Sequence, residues 1–216
     1  MEKTVLCYGD SNTWGYIPGE VTMRYPRDTR WPGRLQELLG EGYYVIEEGL
    51  NSRTTVWEDP TRGDRSGLTY IVPCLQSHKP LDLVIVMLGS NDTKRHFGCS
   101  TLMIATGMKR VLDAILFSRA GRDKKAPQIL LIAPPLIREE MLEDPDGFVQ
   151  EMGEEAPEKS RSFSRFYRAL AEEYGIHFLD AAEICEASLL DGLHLDAEGH
   201  KALSYAVCVK VREILE

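Results

Sequence analysis

The sequence predicts an α/β fold, a central parallel sheet of five strands covered by helices on both faces. Three observations carry this expectation. Short apolar and β-branched runs recur along the chain, helical periodicities fill the intervals between them, and 216 residues suit one core better than two. Strands buried on both faces read as continuous apolar runs, and parallel neighbours joined by helices make right-handed crossovers.

Taken in order, the first run is Val5-Leu6-Cys7-Tyr8. It is too short for the apolar core of a signal peptide and ends at Gly9-Asp10, so no export signal is expected. A helical pattern spans 31–39 and closes on Gly40; the second strand run is 43–46. A helix over 68–77 stops before Pro80, the third strand follows at 83–88, and a long helix covers 102–117. The fourth strand is 129–133; a helix over 162–174 closes on Gly175, a weaker strand lies at 176–179, and the last helix runs over 197–215. Two segments fit no element: 17–30, with Pro18, Gly19 and Pro26, and 136–159, with Pro145, Gly147, Gly153 and Pro157. They read as loop insertions in a single domain spanning 1–216, covering a cleft or making subunit contacts.

Composition narrows the function classes. Hydrophobic residues make up 43% and charged residues 27%, as in ordinary globular proteins. A net charge of -9 with no Lys/Arg cluster repels phosphate, so nucleic acid is not an expected partner. The longest apolar stretch, 81–88, is far below the roughly 20 residues of a membrane span, so no membrane partner is expected. Five scattered cysteines without a C-x-x-C pair read as reduced core thiols and favour the cytoplasm.

In open parallel sheets ligands bind beyond the carboxyl ends of the strands, so the residues after each strand carry the chemical reading. After the first stands Gly9-Asp10-Ser11-Asn12-Thr13-Trp14-Gly15. Ser11 there is either a helix N-cap or a nucleophile whose own N–H faces a helix-terminal anion site. After the second comes Gly49-Leu50-Asn51-Ser52-Arg53, where Gly49 is either a turn former or an open backbone donor. After the third comes Gly89-Ser90-Asn91-Asp92, where Asn91 is either part of an Asx turn or a side-chain donor to an oxyanion. Before the last helix stands Asp191-Gly192-Leu193-His194; a carboxylate three residues from an imidazole can fold back onto Nδ1 and turn Nε2 outward as a base. Together these supply a nucleophile, a base, its orienter and oxyanion donors, the parts of acyl transfer through a tetrahedral intermediate. The chain lacks G-x-S-x-G, G-x-G-x-x-G and a P-loop, which removes the α/β-hydrolase and nucleotide-binding routes.

The ordered set Gly9-Asp10-Ser11, Gly49, Gly89-Ser90-Asn91-Asp92 and Asp191-Gly192-Leu193-His194 resembles the GDSL or SGNH hydrolases. Residues 45–50, 52–55 and 81–94 look more narrowly like the mycobacterial-type arylesterase and acyltransferase branch. The resemblance implies a flavodoxin-like three-layer α/β/α sandwich and a serine esterase of small acyl esters. Ser11, Asp191 and His194 would be catalytic, with Ser11, Gly49 and Asn91 forming the oxyanion hole. It implies no cofactor and no metal, and it allows acyl transfer to alcohols or peroxide. Two features depart from that branch: Asn12 stands where an apolar residue is usual, and 136–159 matches poorly.

The substrate is read as a small-molecule ester, with Asn12, Trp14, Thr93 and Leu193 as its candidate contacts. Two rival readings stand beside the esterase: a carbohydrate O-deacetylase of the same fold, using Asn12, Thr13 and Arg53 as polar contacts, and a non-catalytic flavodoxin-like binding module. A metal hydrolase would instead use Asp10, Asp191 and His194. Apolar residues in the two insertions, among them Tyr16, Met141, Phe148 and Met152, predict a homo-oligomer in which 136–159 narrows the entrance above Ser11.

Overall fold

The computed structural model describes residues 2–21 and 23–216; Met1 and Thr22, the latter within the 17–30 segment, lie outside the described residues. Five strands, β1 (Lys3–Gly9), β2 (Tyr43–Gly49), β3 (Leu83–Met87), β4 (Gln128–Ala133) and β5 (His177–Asp180), form one sheet in the order β2-β1-β3-β4-β5 with every pairing parallel. The helices are α1 (Ser11–Trp14), α2 (Trp31–Leu39), α3 (Gly67–His78), α4 (Thr101–Phe117), α5 (Val149–Met152), α6 (Ala156–Arg161), α7 (Phe163–Tyr174) and α8 (Ala197–Leu215). This is the flavodoxin-like order, in which the chain reverses direction across the sheet between β1 and β3.

Side chains alternate across the sheet and sort into two cores. Leu6, Tyr8, Val84 and Val86 face α3, α4 and α7, which supply Ile71, Leu75, Met108, Leu112 and Tyr167. Val5, Cys7, Leu83 and Ile85 face the opposite layer, where Trp31 and Leu35 of α2 pack with Leu203, Val207 and Val211 of α8. Each buried aliphatic side chain contributes about 1.5–3 kcal/mol relative to exposure, so β1 and β3 are the best anchored strands and fix whatever follows them.

The structure revises two expectations. β2 runs three residues beyond the apolar run because Glu47 and Glu48 extend an edge strand; Glu47 is held there by Arg24, Arg27 and Arg30. The 136–159 segment is not plain loop. It contains a 3₁₀ turn at Glu139–Glu143, then α5 and the start of α6. Ile137, Met141, Met152 and Ala156 bury themselves there against Leu193, with Phe148 packed beside them. Met141 and Met152 therefore leave the list of exposed apolar residues on which the oligomer expectation rested.

Candidate active site

β1 leaves the sheet at Gly9, and Asp10 caps the four-residue α1 by accepting the Asn12 N–H at 3.0 Å. Ser11, first in that helix, points its Oγ at His194 Nε2, 2.9 Å away. His194 Nδ1 lies 2.8 Å from Asp191 Oδ2, while Asp191 Oδ1 accepts the N–H groups of Leu193 at 3.0 Å and His194 at 2.9 Å. Burial pushes the Asp191 carboxyl up, but the His194 ring and these backbone donors outweigh it and hold the group below its ordinary value. An ionised carboxylate only accepts, so Nδ1 carries the proton and the Nε2 lone pair faces the serine hydroxyl. The turn between them needs a glycine. Gly192 has φ +65°, and a Cβ there would stand 2.7 Å from Met141 N.

The imidazole is 3% exposed and held between rings. Tyr16 stacks on it with centroids 4.2 Å apart, and Phe148 meets it edge-on at 5.2 Å. Both belong to the inserted segments or their borders; the sequence reading placed 136–159 above Ser11 but gave neither ring a contact with His194.

A cavity of about 230 Å³ opens over Ser11 and His194, lined also by Tyr16, Val21, Asn51, Ser52, Arg62, Asn91, Lys94, Phe148, Glu151, Met152 and Leu193. Asn91 presents its amide here and donates one N–H to Arg53 O at 3.2 Å. Of the four expected substrate contacts, only Leu193 lines this cavity. Asn12 is a brace: its Nδ2 donates to Leu193 O at 3.3 Å and its Oδ1 accepts Leu195 N–H at 2.9 Å, tying α1 to the histidine loop. Trp14 lies under the Arg24 guanidinium, 5.1 Å from its ring centroid. Thr93 is wholly buried and donates to Ser90 O at 2.7 Å. Arg53 binds Gly9 O and Glu48 O with its guanidinium over Tyr8, Thr13 is fully buried, and neither lines the cavity.

Gly49, the expected backbone donor, is packed at the end of its strand. It ends β2 opposite Gly9 and does not line the cavity; a Cβ on it would stand 2.2 Å from Trp14 N, so its smallness lets α1 lie against the strand. The residues of that stretch which do reach the cavity are Asn51 and, at φ +65°, Ser52. Only its place after a strand end signalled it, since a serine does not advertise a left-handed backbone.

The cavity's far wall is charged. Lys94, 1% exposed, pairs with the fully buried Asp59 at 3.1 Å and with Glu151 of α5 at 2.6 Å, and Arg62 grips Glu151 at 3.0 Å. The inserted segment is thereby latched to the loops after β2 and β3. Burial raises Asp59, but hydrogen bonds from Thr61 and the Lys94 charge hold it well below the usual carboxylate range.

Beneath the site lie two buried carboxyls. Burial pushes Asp10 up to about 6 and Asp92 up to about 7, against hydrogen bonds from Asn12 and Thr55 respectively. Asp10 turns to the Asn12 N–H and Asp191 uses both oxygens on the histidine loop, so Asp10, Asp191 and His194 do not converge as a ligand set.

Residues 7–202 match the model of the GDSL-like lipase/acylhydrolase family. Est24, a carbohydrate acetylesterase from Sinorhizobium meliloti, is 40% identical with a TM-score of 0.92, over 99% of this chain and 100% of that one. The aryl esterase of M. smegmatis is 39% identical with a TM-score of 0.91, again over 99% and 100%. An acetylxylan esterase from Xylanibacter ruminicola is 24% identical over 96% of this chain, which spans 43% of that curated relative's length.

Proposed function

The chain belongs to the GDSL-like lipase/acylhydrolase family, and from that premise we propose that it is a serine carboxylic ester hydrolase of small acyl esters, working through an acyl-enzyme on Ser11. The observation that carries this is the continuous contact from Asp191 Oδ2 through His194 to Ser11 Oγ. Ser11 Oγ attacks the carbonyl carbon as its proton passes to Nε2, and the carbonyl π pair moves onto oxygen. Ser11, Ser52 and Asn91 line the cavity, which supports the Ser11 N–H, the Ser52 N–H and the Asn91 amide as donors to that oxyanion. Collapse expels the alcohol, which takes the proton from Nε2; water then attacks the acyl-enzyme by the same route and releases the acid. An alcohol or peroxide in place of water gives acyl transfer, which the small cavity favours by limiting solvent.

A carbohydrate acetyl ester is the second reading, favoured by the polar part of the cavity lining, Asn51, Ser52, Arg62, Lys94 and Glu151, beside the apolar Tyr16, Phe148 and Met152. The 40% identity to the Sinorhizobium carbohydrate acetylesterase supports it. An organophosphonate is the test of the nucleophile. It labels Ser11 stoichiometrically, and Ser11→Ala folds but neither labels nor hydrolyses an acetyl ester. Labelling at another residue refutes the assignment, and a protein that neither labels nor hydrolyses is a binding module. A panel of aryl acetates and acetylated sugars separates the two substrate classes.

We further propose a homo-oligomer and a cytoplasmic location. Val21, Leu189 and Leu190 are exposed, and Leu190 reaches the 17–30 segment beside Gly19, so an apolar patch borders the cavity mouth. All five cysteines are buried and unpaired, as suits a reducing compartment. Among the described residues no helix is long and apolar enough to cross a membrane.

A further inference from the structure

Between β2 and α3 three side chains of metal-ligating type meet. Cys74 and His78 are four residues apart on α3 and so share one face of that helix. Glu48, next to last in β2, reaches the same point from the sheet edge. One ligand atom from each, the Cys74 sulfur, a His78 ring nitrogen and a Glu48 carboxylate oxygen, lies within 4.8 Å of the other two. His78 Nε2 and Glu48 Oε1 are already 2.8 Å apart. Among the described residues no other group of three or more such side chains converges, and the remaining four cysteines have no comparable company.

We propose that Glu48, Cys74 and His78 form a zinc-binding site separate from the hydrolytic centre. The donor set is the reason for the choice of metal. Thiolate and imidazole select a borderline-soft ion over magnesium or calcium, and three protein ligands with one open position are a common zinc arrangement. The geometry needs only small shifts. Bond lengths of roughly 2.0–2.3 Å around a tetrahedral ion put neighbouring ligand atoms about 3.3–3.6 Å apart. His78 and Glu48 therefore separate by about half an ångström as the sulfur closes in. His78 and Glu48 are both partly exposed, which gives water access as fourth ligand, and Glu48 also lines a cavity of about 580 Å³ with Arg53 and Tyr70. That cavity shares no lining residue with the one above Ser11. On binding, the Cys74 thiol releases its proton to solvent and coordinates as thiolate.

Chelator-stripped protein titrated with Zn²⁺ by calorimetry, and with Co²⁺ by absorbance, tests the site. One Zn²⁺ per chain and a thiolate-to-cobalt charge-transfer band are expected. Cys74→Ser abolishes the band, and His78→Gln weakens Zn²⁺ binding by more than about tenfold, since loss of a ligand costs more than loss of an outer partner. Both variants lie outside the ester-cleaving machinery, so retained hydrolysis shows that they are folded. If buried Cys74→Ser fails to fold, the wild-type band and His78→Gln decide. Wild-type protein that takes up no Zn²⁺, a cobalt complex without the thiolate band, or Zn²⁺ affinity that survives His78→Gln overturns the proposal, leaving Glu48 and His78 as an ordinary ion pair.

Discussion

Asp92 offers a test that reads the buried electrostatics beneath the site. It follows Asn91 directly, is wholly buried, and accepts the Thr55 N–H on both oxygens at 3.1 and 3.0 Å together with the Thr55 hydroxyl. Burial lifts its pKa from 3.8 to about 7; the Thr55 hydrogen bonds oppose that rise and the Asp10 carboxylate adds to it. About three units at 1.36 kcal/mol each give at most about 4 kcal/mol of preference for the protonated form in the folded state. Because the folded pKa lies above the unfolded one, this stabilisation is complete below about pH 4 and is lost as pH rises through about 7. Asp92→Asn cannot ionise and removes the slope. Urea unfolding of both proteins between pH 4 and pH 8 measures it, with the difference between them cancelling the other titrations. The wild-type advantage at pH 4 is expected to shrink by several kcal/mol toward pH 8, part of it through the charge on Asp10, which raises Asp92. A difference that stays within about 0.5 kcal/mol across that range, the ordinary scatter of additivity, would show that Asp92 is not a strained carboxyl.

Gly49→Ala separates packing from catalysis. Alanine keeps the backbone N–H, so an oxyanion role alone predicts an unchanged melting temperature, whereas a Cβ 2.2 Å from Trp14 N predicts a loss of about 1–3 kcal/mol by thermal melting, with activity falling as α1 shifts Ser11. Glu151→Gln keeps the shape of the latch but removes its charge. Stability should fall by about 1–3 kcal/mol, the worth of a charged hydrogen bond, and KM should change more than kcat because Glu151 lines the cavity without touching Ser11; an unaltered melt would mean that Lys94 and Asp59 hold the loops alone. Light scattering should give a mass that is a multiple of the 24.4 kDa chain, reduced to one chain by Leu190→Asp; a single-chain mass for the unaltered protein refutes the subunit contact.

What the sequence disclosed and what it hid divide along a physical line. β1, β3 and β4 were legible because helices cover both faces and their central residues must be apolar, and α8 because its helical pattern is long; Asp196 opens that helix by accepting the Gly199 N–H. Ser11 and Asn91 stood out as candidates because strand ends leave few places for chemistry, and His194 because a carboxylate lies three residues before it in the loop entering α8. The end of β2 was hidden because an edge strand tolerates Glu47 when arginines from 17–30 meet it and Glu48 when His78 does. The 136–159 helices were hidden because their apolar residues find partners in Leu193 and one another, not in a periodic face. Asn12 was misread for a related reason. A polar side chain beside the nucleophile suggests a substrate contact, yet its amide is complementary to the carbonyl of Leu193 and the N–H of Leu195, some 180 residues along the chain. The same long-range pairing that concealed its role makes it useful. By joining the helix that carries Ser11 to the loop that carries His194, Asn12 holds the two at the 2.9 Å separation on which the proposed proton transfer depends.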